Sequence, residues 1–280
     1  MDTLKLKNLK LIVFDLDGTL LNSEGRVGEE SKRLIKELRK HNVKFSIATG
    51  RLHSAVVDIA SELEITTPLI SLDGSIIKSF PEDNIIFDSY IPEKYVKKAV
   101  RLADEHLLRI ALCHADSIYY TEHNSTIKEL LEKFGAQYTE VSEYKNLMDK
   151  VLEIVIVGDM KDSIKFVDSR LTFPFGFGLN TNLYKSQSHP GIYYLEIRKH
   201  GCTKGTGLKK LAKGLGVRIA DSAVLGDWYN DRELFETNAL KVAVANAVPE
   251  IKYLADHVTE KTNEEDGVAE FLEMVLKAKT

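Results

Sequence analysis

Short apolar runs alternate with segments of helical spacing at both ends of the chain. Residues 11–14 (LIVF) form a continuous apolar run that stops at a carboxylate. Leu34, Ile35 and Leu38 recur at helical spacing within 31–40, and 43–48 then reads as a second strand. Val56, Ile59, Ala60 and Leu63 mark another helix, and 69–72 a third strand. The last third resumes this rhythm, with helices over 204–215, 231–236 and 268–276 and strands at 223–225 and 242–245. Strands that are apolar throughout and separated by helices belong to a parallel sheet covered on both faces. One sheet built from two separated pieces of chain is therefore expected: a Rossmann-like, doubly wound α/β core over 1–83 and 191–280. Between them, 84–190 carries aromatics from Phe87 to Phe177 and mixed strand and helix patterns without carboxylate-tipped strands. That segment is expected to be an inserted α+β domain.

Composition narrows the partners. A net charge of −4 argues against a general nucleic-acid binder, which needs a basic face for the phosphates. It does not exclude one phosphoryl group, for which two or three placed cations and backbone amides suffice. The two cysteines, Cys113 and Cys202, lie far apart, so neither a disulfide framework nor a thiolate metal site is expected. No apolar run approaches the ~20 residues that span a bilayer, and the first residues lack a signal-peptide pattern. A cytoplasmic protein with no membrane partner is the expectation.

Chemistry concentrates where strands end. The run at 11–14 is followed at once by Asp15, Leu16, Asp17, Gly18 and Thr19. Ligands of parallel sheets bind outside the carboxyl ends of the strands, and residues two apart on an extended segment share a face. Asp15 and Asp17 are thus expected to point together into the crevice and to attract a hard cation. A calcium loop is excluded, because its sixth and twelfth positions, counted from Asp15, hold Leu20 and Arg26 rather than Gly and Glu. The second strand ends in Thr49, Gly50 and Arg51, where a hydroxyl and free amides suit an oxyanion. Thr49 taken alone reads as a cap for the following helix. Lys204 stands in GCTKGTGL, where glycines on both sides let backbone approach a ligand and the lysine supplies a point charge. The segment is not a Walker loop. A further strand end offers Asp227, Asn230 and Asp231.

The set D-L-D-G-T, T-G-R, K-G and G-D-x-x-N-D, in that order, resembles the haloacid dehalogenase superfamily. More narrowly it resembles the Cof-type sugar-phosphatase branch, whose type IIB cap is inserted at the second (C2) position. The loop after Asp17 is too short for a cap, and the large insert lies between the third strand and Lys204, which matches that branch. The tail segments around Asn246 and over 262–269 (TNEEDGVA) look similar too. The chain departs from the pattern at Asp73-Gly74-Ser75, where the family often has Asn-Gly-Ala, and at the bulky Trp228 and Tyr229.

The resemblance implies that Asp15 attacks phosphorus to give an aspartyl-phosphate, with Asp17 as general acid and then general base. It implies Mg²⁺ held by Asp15, the Asp17 carbonyl and Asp227, with Asp231 outside the ligand set. Thr49, the amides of Leu16 and Gly50, Lys204 and Asn230 would grip the phosphoryl oxygens. Arg51, Asp73, His114, Asp116, Tyr119 and Tyr120 are candidates for choosing the leaving group. The expected activity is Mg²⁺-dependent hydrolysis of small phosphorylated metabolites, sugar phosphates above all, by a monomer or small homo-oligomer. A phosphomutase using the same intermediate, or a phospho-ligand binding protein without turnover, are the alternatives.

Overall fold

The structure is a computed structural model and describes residues 3–130, 136–173, 178–186 and 189–280; Phe175 and Phe177 lie outside the described residues. Two compact units emerge, one made of Met1–Gly50, Val56–Ile86 and Thr203–Thr280, the other of Arg51–Ala55 and Phe87–Cys202. In chain order the strands are β1 (Leu11–Phe14), β2 (Lys44–Ile47), β3 (Leu69–Ser71), β4 (Ile76–Lys78) and β5 (Ile85–Asp88). They continue with β6 (Arg109–Cys113), β7 (Ile118–Thr121), β8 (Tyr138–Val141), β9 (Glu153–Gly158), β10 (Leu179–Lys185) and β11 (Tyr193–Lys199). The last are β12 (Ser222–Gly226), β13 (Leu240–Ala243) and β14 (His257–Val258).

The first unit holds a parallel five-stranded sheet in the order β14-β13-β12-β1-β2. β1 is fully buried and pairs from Leu11↔Ser222 to Phe14↔Leu225 on one side and from Leu11↔Lys44 to Phe14↔Ile47 on the other. The chain moves outward from β1 in both directions, so the crevice at its carboxyl end is the switch point where α/β sheets bind ligands. The helix Glu29–Lys40 buries Ser31, Leu34, Ile35 and Leu38, and its acidic first turn and basic last turn complement the helix dipole.

The third strand differs from the expectation. β3 joins β2 only through the parallel bridge Ala48↔Ile70 and instead pairs antiparallel with β4. The cause is local: Leu72 and Asp73 both have φ of 47°, so the chain reverses directly after β3. Left-handed backbone at two successive non-glycine residues is uncommon and gave no compositional signal.

The second unit is an α+β insert with a six-stranded sheet ordered β10-β11-β9-β6-β7-β8, antiparallel except for β7 with β8. Helices Glu93–Glu105 and Lys161–Thr172 contribute Val96, Ala99, Leu102, Ile164 and Val167 to a core with Ile110, Leu112, Ile154, Ile156, Leu195 and Ile197. Strand alternation sends the intervening residues to the opposite side. There Arg198 Nη2 donates to Glu153 Oε1 at 3.2 Å and Glu196 Oε2 at 3.1 Å, and Tyr184 Oη donates to Glu196 Oε1 at 2.7 Å. The expected boundary after 190 would have left β11 with the core. β11 pairs along its length with β9 and β10, and the unit runs to Cys202.

Candidate active site

β1 ends at Phe14, and the residue that follows is held in place by its own backbone, since Asp15 N donates to Leu225 O at 3.0 Å. Asp15 is buried, whereas Asp17 is exposed. The strand ends at Phe14, so Asp15 and Asp17 both lie just beyond its paired residues. The Leu16 carbonyl collects the N–H groups of Thr19, Leu20 and Leu21, which turns the chain away from the strand direction.

Three carboxylates converge on this point: one oxygen each from Asp15, Asp227 and Asp231 lie within 4.8 Å of one another, all buried. Lys204, with no exposed surface, donates to Asp15 Oδ1 at 2.6 Å and Asp231 Oδ1 at 2.7 Å. Asp231 Oδ2 accepts from the backbone N of Asp227 at 2.9 Å and of Trp228 at 3.2 Å, so one side chain fixes both the ammonium and the acidic turn. Asp227 Oδ1 accepts from Thr19 Oγ1 at 2.8 Å. Gly18 is required beside it: its φ is +79°, and a Cβ there would sit 2.5 Å from Asp227 Oδ2.

Lys204 opens the helix Lys204–Gly214 behind a reciprocal Thr203–Thr206 capping box. A cation at a helix start opposes the dipole. Burial also pulls its pKa down, but the carboxylates of Asp15, Asp231 and Asp73 outweigh this and hold it well above the usual lysine range. Gly205 serves packing rather than a ligand, since a Cβ on it would lie 2.2 Å from the Glu233 carbonyl oxygen. That corrects the expectation of ligand approach at this glycine.

Electrostatically the centre is overcharged. Burial, then the neighbouring Asp231, push Asp15 well above the carboxylate range, with Lys204 opposing. Burial and Asp231 push Asp227 up to about 6. Three carboxylates facing one ammonium need a further positive charge, a proton or a metal ion. An all-oxygen donor set of this size fits a hard divalent cation, for which ligand distances of about 2.0–2.1 Å are typical of Mg²⁺. Asp17 is not among the clustered carboxylates.

The remaining candidates divide between the units. In the first, Thr49 is buried and its N donates to Ile70 O at 3.0 Å, while its O accepts from Asp73 N at 2.9 Å. Thr49 does not cap the next helix, Val57–Glu62, whose cap residue is Val56. Asn230 Nδ2 donates to Asp73 Oδ1 at 3.2 Å, and a Cβ on Gly50 would lie 3.4 Å from the same oxygen. Asp73 thereby links the ends of β2 and β12. In the second unit, His114 is buried with Nε2 on the Leu147 carbonyl at 2.9 Å and packs edge-on to Tyr119 at 4.8 Å. Burial lowers its pKa. Tyr119 Oη donates to exposed Asp116 at 3.4 Å, Tyr120 is buried, and Arg51 is half-buried.

Sequence reasoning assigned no role to Thr19, Asn246, Asn263, Glu264 and Asp266. Asn246 Nδ2 donates to Gly18 O at 2.7 Å, Asn263 Nδ2 to Leu21 O at 3.0 Å, and Glu264 accepts from the N and Oγ of Ser23. The tail thus clamps the loop that follows Asp17. Its signal was present in the TNEEDGVA segment but carried no mechanism.

A family model described as haloacid dehalogenase-like hydrolase matches residues 12–272. A Bacillus subtilis protein named 5-amino-6-(5-phospho-D-ribitylamino)uracil phosphatase YitU is 28% identical, over 94% of this chain and 96% of its own length. Phosphatase YwpJ of the same organism is 27% identical over 96% of this chain and 100% of its own. Among solved structures, a haloacid dehalogenase-like hydrolase from Bacteroides thetaiotaomicron aligns with a TM-score of 0.83 at 26% identity, covering 95% of this chain and 99% of that one. A protein of Thermotoga maritima aligns at 0.80 and 27% identity, covering 95% and 97%.

Proposed function

The chain belongs to the haloacid dehalogenase-like hydrolases and is a phosphatase of that family, and from that premise we propose that it hydrolyses small phosphate esters through a phospho-aspartate on Asp15. The observation that carries this reading is the buried junction of Asp15, Lys204, Asp231 and Asp227 at the carboxyl end of the central strand.

In the first step an Asp15 oxygen attacks phosphorus in line, and the bond from phosphorus to the ester oxygen breaks. Asp17, exposed beside it, gives its proton to the departing alkoxide. In the second step water attacks the phosphorus of the acyl phosphate and yields a proton to Asp17, and the Asp15 carboxylate is restored. Lys204 keeps its charge throughout and offsets charge on the phosphoryl oxygens together with Thr49, Asn230 and the amides of Leu16 and Gly50. Asp15, the Asp17 carbonyl and Asp227 would hold Mg²⁺, which supplies positive charge to the transferring group. Asp231 keeps the acidic turn and Lys204 in place.

Sugar or polyol phosphates are the proposed substrates. Relatives named for a phosphorylated ribitylamino compound lie within this class. Arg51, Asp73, His114, Asp116 and Tyr119 are proposed to tune the choice of leaving group, in a cytoplasmic enzyme.

The test is phosphate release from a panel of sugar phosphates and nucleotides, with and without Mg²⁺, for wild type beside Asp15→Asn. Release that needs Mg²⁺ and disappears in a folded Asp15→Asn supports the mechanism. Turnover surviving in Asp15→Asn would remove the phospho-aspartate from it.

A further inference from the structure

Asp73 is a buried carboxylate among groups proposed to grip an anion, where its charge opposes theirs. It sits in the turn Leu72–Gly74, in which Leu72 and Asp73 both have φ of 47° and Gly74 follows at 89°. Left-handed backbone at successive residues persists only where the surroundings fix it. Here the surroundings are two segments of the proposed phosphoryl site. Asp73 N donates to Thr49 O at 2.9 Å, beyond the end of β2. A Cβ on Gly74 would lie 2.3 Å from the Thr203 carbonyl oxygen, so the turn rests directly on the start of the Lys204 helix.

The side chain makes the third connection, to the turn that follows β12. Asp73 Oδ1 accepts from Asn230 Nδ2 at 3.2 Å, and Asn230, unlike Asp73, is exposed. A carboxamide on an exposed turn has two orientations that exchange its oxygen and its nitrogen. A carboxylate only accepts, so Asp73 selects the orientation with Nδ2 towards itself. The reverse orientation would set a carbonyl oxygen against the carboxylate, acceptor against acceptor. Nδ2 carries two hydrogens, and the second remains for another acceptor. The backbone of the turn thus fixes the carboxylate, and the carboxylate fixes the amide.

We propose that Asp73 is a positioning residue for phosphoryl transfer, which holds the Asn230 amide so that its second hydrogen meets a phosphoryl oxygen. This rests on the phosphatase reading above, with Asn230 as a phosphoryl contact, and adds to the leaving-group part given there to Asp73. The phosphoryl group is common to all substrates, so the contribution reaches every ester. It needs an acceptor oxygen at this place and not a charge, since a neutral acceptor orients the amide equally well.

Asp73→Gly removes the carboxylate and keeps φ of 47° without strain, whereas Asp73→Asn keeps an acceptor oxygen. Asp73→Gly is expected to lower kcat/KM by about 5- to 50-fold for every ester of the panel, and Asp73→Asn to recover most of that loss. In an Asn230→Ala background, Asp73→Gly is expected to cost less than about twofold more, because no amide is left to orient. Fully additive losses, or no recovery in Asp73→Asn, would overturn the proposal. Losses confined to particular esters would leave Asp73 only its leaving-group part and overturn it as well. Release that requires Asp15 but is unchanged in Asp73→Gly would sink the positioning role and leave the hydrolytic reading standing. Should the wild type release phosphate from no ester, the hydrolytic reading fails, and calorimetric binding of inorganic phosphate with Mg²⁺ decides instead. Asp73→Gly and Asn230→Ala must then each weaken that binding without adding, and unchanged affinity in Asp73→Gly counts against the role.

Discussion

At the scale of single residues, the site stores unfavourable electrostatics that a nearly isosteric change releases. Asp227 is buried beside Asp231, and its pKa rises from 3.8 to about 6 in the folded metal-free protein. A carboxyl whose folded pKa is raised holds its proton more tightly when folded. The contribution of Asp227 to folding stability is then most favourable below pH 3.8, declines as pH rises from there through about 6, and stays unfavourable above. Two units correspond to about 3 kcal/mol, so Asp227→Asn is expected to stabilise the metal-free protein by about 1–3 kcal/mol at pH 8. The gain should shrink to nothing near pH 4, and Mg²⁺ should stabilise wild type more than the variant. Thermal unfolding in chelator across pH 4–8 checks this, and a variant less stable than wild type at pH 8 would refute it. Asp15 and Asp227 were legible in the sequence because each directly follows an apolar strand. Thr19 was not, since its partner Asp227 lies 208 positions away and only the sheet order brings them together.

At the scale of elements, the helix Glu29–Lys40 shows what the pattern left out. Its spacing placed the start near Ser31, and the start lies at Glu29 behind Gly28, which has no side chain with which to cap. The cap comes from elsewhere: the Asp266 carboxylate accepts from Ser31 N at 3.0 Å and from Ser31 Oγ, across 235 positions. Local composition carries no trace of such a partner. Asp266 itself has φ 59° and ψ 50°, a left-handed conformation that Asn tolerates and Ala resists. Asp266→Ala is expected to destabilise the protein by about 1–3 kcal/mol, through strain and an orphaned amide, and Asp266→Asn by clearly less. Urea titrations rank the two, and equal losses would show that the cap is not the cause. Asn263 of the same tail segment donates its N–H to Asn246 Oδ1, and the Asn246 amide holds the Gly18 carbonyl in the loop after Asp17. Asn246→Ala is expected to lower kcat by about 10- to 100-fold while KM changes little, because it loosens the position of a loop rather than a substrate contact. A rise in KM with kcat unchanged would instead place Asn246 in binding.

At the scale of the whole molecule, the apolar rhythm announced a parallel sheet at both chain ends, and β1 pairing with both β2 and β12 is its outcome. The rhythm stops near residue 84, while the second unit takes in Arg51–Ala55 and resumes at Phe87, and no change of rhythm marks its end at Cys202. β11 is as apolar inside as a core strand, with Leu195 and Ile197 buried, so only its pairing with β9 assigns it to the insert. This distribution of contacts has a consequence for folding. The insert owns its core: Val96, Leu102, Ile110, Leu112, Ile154, Ile156, Ile164, Val167, Leu195 and Ile197 all lie within Phe87–Cys202. A unit with its own buried core folds alone. Residues 87–202 expressed separately are therefore expected to unfold in one cooperative transition, unmoved by Mg²⁺, because the clustered carboxylates lie outside them. Ile156→Ala in that fragment should cost about 2–5 kcal/mol, as deletion of a fully buried aliphatic group does. The intact chain, by contrast, is expected to gain about 2.7 kcal/mol at a metal concentration 100 times Kd, through binding to the folded state alone. Circular dichroism and calorimetry of the fragment with and without Mg²⁺ decide the matter. A fragment that stays unfolded would mean that its core depends on residues beyond Phe87–Cys202, and a fragment that Mg²⁺ stabilises would place a metal site where no cluster of acidic side chains is found among the described residues.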